Sequence, residues 1–570
     1  MSKKRSFAAK NKKNSAAKKS NTKYSSNTNN SDTVTKIKKK CVFESVVVNI
    51  ICLFLFLAFG YIALMSFFQT SVFDSTKLSS EVVIYEADNL ALNIFFTAIF
   101  AFVLFRLRKH YDFFAKVNIR YMEIGIAVWA VVLGLVWVFS VTSVPGADSA
   151  NIFETATQAA QNSFTSMYNN TNYYNHDFYS NHSYYNFFPY QLSFVFFCEI
   201  IYRIFGTDSS IPLQVINVLC LGSAYFALAR LTKLIFKRKS IEFIAILLLA
   251  VCFQPILFCT YAYGNTIGMA TAIWACLLLI KYFETDKYVW LAPCAALLVL
   301  STIVKYNNLI YLVAFVIVLI VHTVKAKKWQ SIAFALALCI ACVGSSNLII
   351  MSYESRANTK FEKGASQALF LDMGLQESYM APGWYTRTMV DTYIRSNFNA
   401  DAATEAAKLD ISNRIDTFTS DLDYTFDFFS KKILSQWNEP SYESIWISQV
   451  KGHETEINGL GKGVYEGSTG QLLHLHFNFY MQIIYLLFAV GIYMLFIKRK
   501  ANIETILLPL VILGAFGYHL LFEAKSQYAL TYIPLFIPPA AYAMNIILGA
   551  DYSKLKNIAD CVNKKIKRSK

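Results

Sequence analysis

The chain is 570 residues long, 55% hydrophobic and 16% aromatic, with a formal net charge of +16. Repeated apolar runs of about 20 residues exclude a soluble globule and point to a polytopic membrane protein. The charge is no sign of nucleic acid: residues 1–40 carry 13 Lys/Arg against one acid and 549–570 carry seven against two, so the excess sits in the tails and suits anionic lipid.

Residues 1–40, rich in Lys, Ser and Asn, are expected to be a disordered cytoplasmic tail, as is 549–570. No cleavable signal peptide is expected ahead of the first span. Apolar spans are expected at 43–68, 89–107, 122–142, 211–236, 241–260, 266–284, 288–304, 308–324, 331–351, 475–497, 503–522 and 529–548, twelve in all. Basic loops at Arg106–His110, Lys237–Lys239, Lys325–Lys328 and Lys498–Lys500 then fall on one side with both tails, as the positive-inside rule requires. Segments 69–88, 143–210 and 352–474 fall on the other. The modules are thus 41–351, a membrane module whose outer loop 143–210 holds the site; 352–474, an extramembrane domain with 17 acids against 11 Lys/Arg; and 475–548, the last spans.

The apolar run Phe187–Phe205 has to stay out of the membrane count, because counting it would reverse every later loop. It reads as a surface helix with Pro189 in its first turn, Glu199 and Arg203 paired across one face, and Gly206 at its end. In 352–474, a helix pair is expected over 401–432, with Ile411, Ile415, Phe418 and Leu422 at helical spacing, and a loop over the six-glycine stretch Gly452–Gly470. Trp384, Trp437 and Trp446 are expected at the membrane interface or on a sugar-stacking surface. With no cysteine in 352–474, neither a disulfide framework nor a thiolate zinc site is expected.

Several polar residues stand at outer span ends. Asp148, a few residues past the span 122–142, either caps a helix over 149–162 or serves as a reactive carboxylate at the bilayer surface. Lys305, between two spans and followed by Tyr306, either binds an anion in a wet cavity or snorkels to headgroups. Arg203 and Lys525 are further cationic candidates. Glu523 and Gln527 either bind sugar hydroxyls or engage one another and Lys525. His182 and Tyr184 belong to a Tyr/Asn-rich stretch that suits carbohydrate contact or a solvated interface, and His176 and His182 match no metal-ligand spacing. Two sequons begin at Asn169 and Asn181. No Walker loop or dinucleotide fingerprint is visible.

The order of these features resembles the GT-C superfamily of polyprenyl-phosphate-sugar-dependent glycosyltransferases, in particular the bacterial relatives of protein O-mannosyltransferases and of the lipid A aminoarabinose transferase. The likeness is carried by Asp148, Tyr184–Tyr190, Tyr202–Gly206, Tyr261–Asn265, Thr302–Tyr306 and Glu523–Tyr528, over roughly 120–324 and 475–548. The resemblance implies an all-α GT-C fold with about 12 transmembrane helices and Asp148 as catalytic base. Such a transfer needs cations for the departing lipid phosphate, for which Lys305, with Arg203 and Lys525 secondary, is the candidate, while Asn265, His182, Tyr184, Tyr306, Glu523 and Gln527 are the candidates for contact with the sugar or acceptor. Many relatives carry an acid where this chain has Asn265, so no obligatory metal or other cofactor is expected. The implied acceptor is a wall polysaccharide, teichoic acid, glycolipid or protein at the outer face of a cell membrane, with a Gram-positive source suggested by composition. A lipid-linked glycan flippase or transporter, a glycan polymer ligase and a non-catalytic scaffold are the rivals. A flippase would call for repeated halves and midplane charges, whereas here the polar residues gather at span ends.

Overall fold

The computed structural model describes residues 41–168 and 184–550. Among them nine helices are long and apolar enough to cross a bilayer, and Lys239–Ala250 with Gln254–Thr260 makes a tenth span bent by 51°. Tyr288–Val304 and Ile533–Gly549 are apolar helices of only 17 residues and complete the stretches read from sequence. Twelve is therefore a count of apolar helical stretches, and length alone supports nine or ten spans.

The break near Cys252 has a cause and a remedy. Pro255 cannot donate a backbone hydrogen bond, so the helix opens ahead of it. The loosened carbonyls are recovered by side chains: Tyr480 donates to Leu248 O at 3.1 Å, Trp129 to Ala250 O at 2.9 Å, His476 to Val251 O at 2.8 Å and Tyr225 to Cys252 O at 2.8 Å. Non-helical backbone at membrane depth persists only when it is so satisfied.

Ion pairs and apolar contacts gather the segments between helices into two groups, one at each end of the bundle. At the end bearing the basic loops, internal carboxylates take up part of the charge: Glu44 pairs with Lys325 at 2.8 Å, Glu123 with Arg230 at 2.9 Å and Glu242 with Lys233 at 3.4 Å. The opposite end carries 143–168, 184–210 and 352–474. There Asp148–Ala160 and Leu192–Phe205 share an apolar core with helices Gln367–Leu375 and Thr388–Arg395. The surface helix follows a 3-10 turn at Pro189–Gln191 and stops at Gly206, whose φ of +96° suits glycine.

Three expectations are corrected, and one element is unforeseen. A two-stranded antiparallel hairpin, Gln69–Phe73 with Val83–Ala87, interrupts the helical pattern; it is tied to 352–474 by Ser71 N donating to Asn438 O and Val83 N to Met380 O. The glycine-rich stretch is not all loop: Asn458 Oδ1 accepts from Leu460 N and Gly461 N and starts a helix over Gly459–Tyr465. Ala400–Ser420 and Leu422–Trp437 form the expected pair, but Ile415 and Leu422 are exposed and only Phe418 of the named face is fully buried. Trp384, Trp437 and Trp446 form neither belt nor platform. All three are buried, with Trp384 Nε1 on Ser435 Oγ at 2.9 Å and Trp446 Nε1 on Leu78 O at 2.7 Å.

Candidate active site

At the end away from the basic loops, a cavity of about 140 Å³ opens between the membrane helices and 352–474, room for on the order of ten waters. Residues far apart in sequence converge on it: Asp148, Tyr184, Lys305, Tyr306, Glu523 and Gln527 all line its wall.

Asp148 is the first residue of helix Asp148–Ala160, but it is not the cap. The preceding Ala147, which occupies the cap position, has φ +51° and ψ −132°, a conformation that disfavours any residue with a Cβ. The turn is braced on both sides. Ser149 Oγ donates to Gly146 O at 2.8 Å, Val144 N donates to Gly452 O at 2.9 Å, and a Cβ on Gly146 would stand 2.4 Å from the Lys451 side chain. Strained backbone held by its surroundings ahead of a cavity carboxylate is a usual mark of a functional site.

Lys305 ends the helix Leu291–Val304 in extended conformation. Its Nζ lies 4.2 Å from the Tyr263 ring centroid and 5.9 Å from that of Tyr528, a cation–π seat. Burial pulls its ammonium down to about 8, against the pull of the Asp148 and Glu523 carboxylates. Tyr263 is within reach because Gly264 packs on the Val304 carbonyl, where a Cβ would stand 1.8 Å from the oxygen. Gln191 Nε2 then donates to the Tyr263 hydroxyl at 2.5 Å, and Tyr190 and Tyr306 face one another at 5.3 Å.

Glu523 sits opposite. Burial pushes its carboxyl up to about 7, with Lys525 and the Tyr528 hydroxyl working the other way. Tyr528 OH donates to Glu523 Oε2 at 3.2 Å and His519 Nδ1 to Glu523 O at 2.7 Å.

The other candidates fall elsewhere. Arg203 is spent on Glu199 (2.8 Å), Ala159 O (2.8 Å) and Asn162 Oδ1 (2.8 Å), in a network that also holds Arg356 and Tyr353, and it does not line the cavity. Lys525 pairs with Glu81 at 2.5 Å and reaches Glu443 at 3.8 Å, so the expected Glu523–Lys525 pair is replaced by partners from other loops. Asn265 is buried in the first turn of Asn265–Thr285, off the cavity wall. His182, with His176, Asp177 and both sequons, lies outside the described residues. Gln191, Tyr263, Gln367, Tyr385 and His519 line the cavity and were not singled out from sequence.

A site holding an aspartate, a lysine, a second carboxyl and an aromatic wall has the groups to bind an anion beside a hydroxylated ring and to accept a proton from an incoming hydroxyl. Among the described residues no three His, Cys, Asp or Glu side chains converge as metal ligands.

The class the fold defines is that of polytopic, almost wholly helical membrane proteins. More particularly, residues 192–350 match the dolichyl-phosphate-mannose-protein mannosyltransferase family. That segment runs from the surface helix through Gln330–Ala357; it contains Lys305 and Tyr263, whereas Asp148 and Glu523 flank it. The crystal structure of the Archaeoglobus fulgidus oligosaccharyltransferase complex with Zn and sulfate is similar over 76% of this chain and 49% of that one, at 12% identity and a TM-score of 0.39. The chain thus spans about half the length of that protein. No curated protein sequence matches significantly.

Proposed function

We propose that the protein transfers a monosaccharide from a polyprenyl-phosphate carrier to a hydroxyl of a cell-surface acceptor, at the outer face of the membrane and with inversion at the sugar carbon. Asp148 removes the acceptor proton, the acceptor oxygen displaces the lipid phosphate from the sugar, and Lys305 holds the phosphate as its charge grows. Tyr184, Tyr306, Gln527 and a neutral Glu523 contact the sugar, since a protonated carboxyl both donates to and accepts from hydroxyls. The observation that carries this reading is the meeting of Asp148 and Lys305 in one aromatic-walled cavity at the end of the bundle remote from the basic loops. Two carboxyls beside a lysine make a poor donor set for a divalent ion, so the reaction is assigned no metal.

Purified protein incubated with labelled polyprenyl-phosphate sugars tests the reading. Cleavage of the sugar from the lipid, undiminished by a chelator, is the expected outcome. Movement of intact labelled lipid across vesicle bilayers without cleavage would make the protein a flippase instead.

A further inference from the structure

The strap Phe522–Tyr528 leaves the helix Ile503–Leu521 and carries Glu523, Gln527 and Tyr528 into the cavity wall. It is held from outside by 352–474. Phe522 O accepts from Lys432 Nζ at 2.8 Å, Ala524 N donates to Gly383 O at 2.8 Å, and both Ser526 Oγ (3.0 Å) and Gln527 N (3.2 Å) donate to Glu443 Oε1. Lys525 closes the arrangement, lying between Glu443 and Glu81 of the hairpin loop.

Glu443 is the hub. It is fully buried, with a backbone φ of +60°, in a turn fixed by the Glu439 carboxylate, which accepts from Ser441 N (2.9 Å), Ser441 Oγ (2.6 Å) and Glu443 N (2.8 Å). Two adjacent buried carboxyls and a strained turn are costly to keep, and a stable fold alone does not call for them. What they accomplish is to aim one carboxyl at the strap. The other side of the same turn lines a second recess, of about 310 Å³, through Glu439, Ser441 and Trp446.

We propose that Glu443 is a positioning residue of the transfer site: its carboxylate fixes the strap so that Gln527 and Tyr528 are preset against the cavity, and this is the part that 352–474 plays in the reaction. The proposal rests on the reading of that cavity as the transfer site.

Full-length Glu443→Ala, Glu443→Gln and Ser526→Ala proteins test it by amide hydrogen exchange and by affinity for a polyprenyl-phosphate sugar. In E443A, exchange at Ser526–Tyr528 should quicken about tenfold or more, with the rest of the chain unchanged, and lipid-sugar affinity should fall about tenfold. E443Q keeps an acceptor oxygen and should recover most of both; S526A, which removes one of two bonds and leaves the carboxyl in place, should show a smaller change in the same direction if E443A does not fold. Exchange that is unchanged, or raised evenly along the chain, overturns the proposal. So does unaltered affinity in E443A when the wild type binds. A wild type that binds no polyprenyl-phosphate sugar sinks the transfer reading, while the exchange data still decide whether Glu443 holds the strap.

Discussion

Lys305 and Glu523 are the residues whose charge state the cavity sets most visibly. Burial lowers the first to about 8 and raises the second to about 7. As pH rises through about 7, Glu523 gains a negative charge that repels an anionic headgroup, and through about 8 Lys305 loses the positive charge that attracts it. Both changes weaken phosphate binding, so affinity for a polyprenyl phosphate should fall as pH rises from about 6 to about 9. Lys305→Arg keeps its charge throughout and should remove the upper inflection while leaving the lower one. An unchanged profile in that variant would take Lys305 out of the phosphate site. Ala147 offers a second test: Ala147→Gly relieves the positive φ and should stabilise by about 1 kcal/mol in a denaturation series while loosening Asp148 and slowing transfer. No gain in stability would mean that the turn stores no strain. Asp148 and Lys305 are legible in the sequence because a charge at the end of an apolar span stands out against its surroundings. Lys525 is misleading for the same reason, since its partners Glu81 and Glu443 come from other loops, distant in sequence. Gln191 and Tyr263 take no role of their own from the sequence, being residue types common at any membrane interface, although Tyr263 lies within the stretch Tyr261–Asn265 that carries the likeness.

At the level of elements, close helix contacts place the site. Gly264 lets the start of Asn265–Thr285 touch the end of Leu291–Val304, as small residues do between membrane helices. Gly264→Ala should force the two apart at a cost of about 1–3 kcal/mol, shown as lower thermal resistance together with weaker lipid-phosphate binding as Tyr263 and Lys305 separate. Full affinity in a destabilised G264A would uncouple this contact from the site. The surface helix Leu192–Phe205 was readable because loop charges forbid it a place in the span count. The hairpin Gln69–Phe73 with Val83–Ala87 was not, because its strands are five residues each and gain their stability from Asn438 and Met380, which no local pattern announces. The tryptophans were misplaced for a related reason: periodicity says that a residue is apolar on one face, not which neighbour covers it.

Across the whole molecule, the basic loops lie at one end and the cavity at the other, and the outward orientation proposed for the cavity can be tested directly. A single cysteine at Asp421, exposed between two helices of 352–474, should react with an impermeant thiol reagent on intact cells, in a chain whose native thiols have been replaced. One at Lys327, exposed at the basic end, should react only after permeabilisation. The reverse pattern would turn the cavity toward the cytoplasm and end the surface-acceptor reading. The central claim is narrower: one carboxylate, Asp148, takes the proton while the sugar leaves its lipid. Its most direct measurement is single-turnover cleavage of a labelled polyprenyl-phosphate sugar by wild type and Asp148→Asn at matched, correctly folded amounts. The account predicts rapid release of label by the wild type and a rate at least about a hundredfold lower in the variant, with lipid binding retained. Equal rates in the two proteins would contradict it.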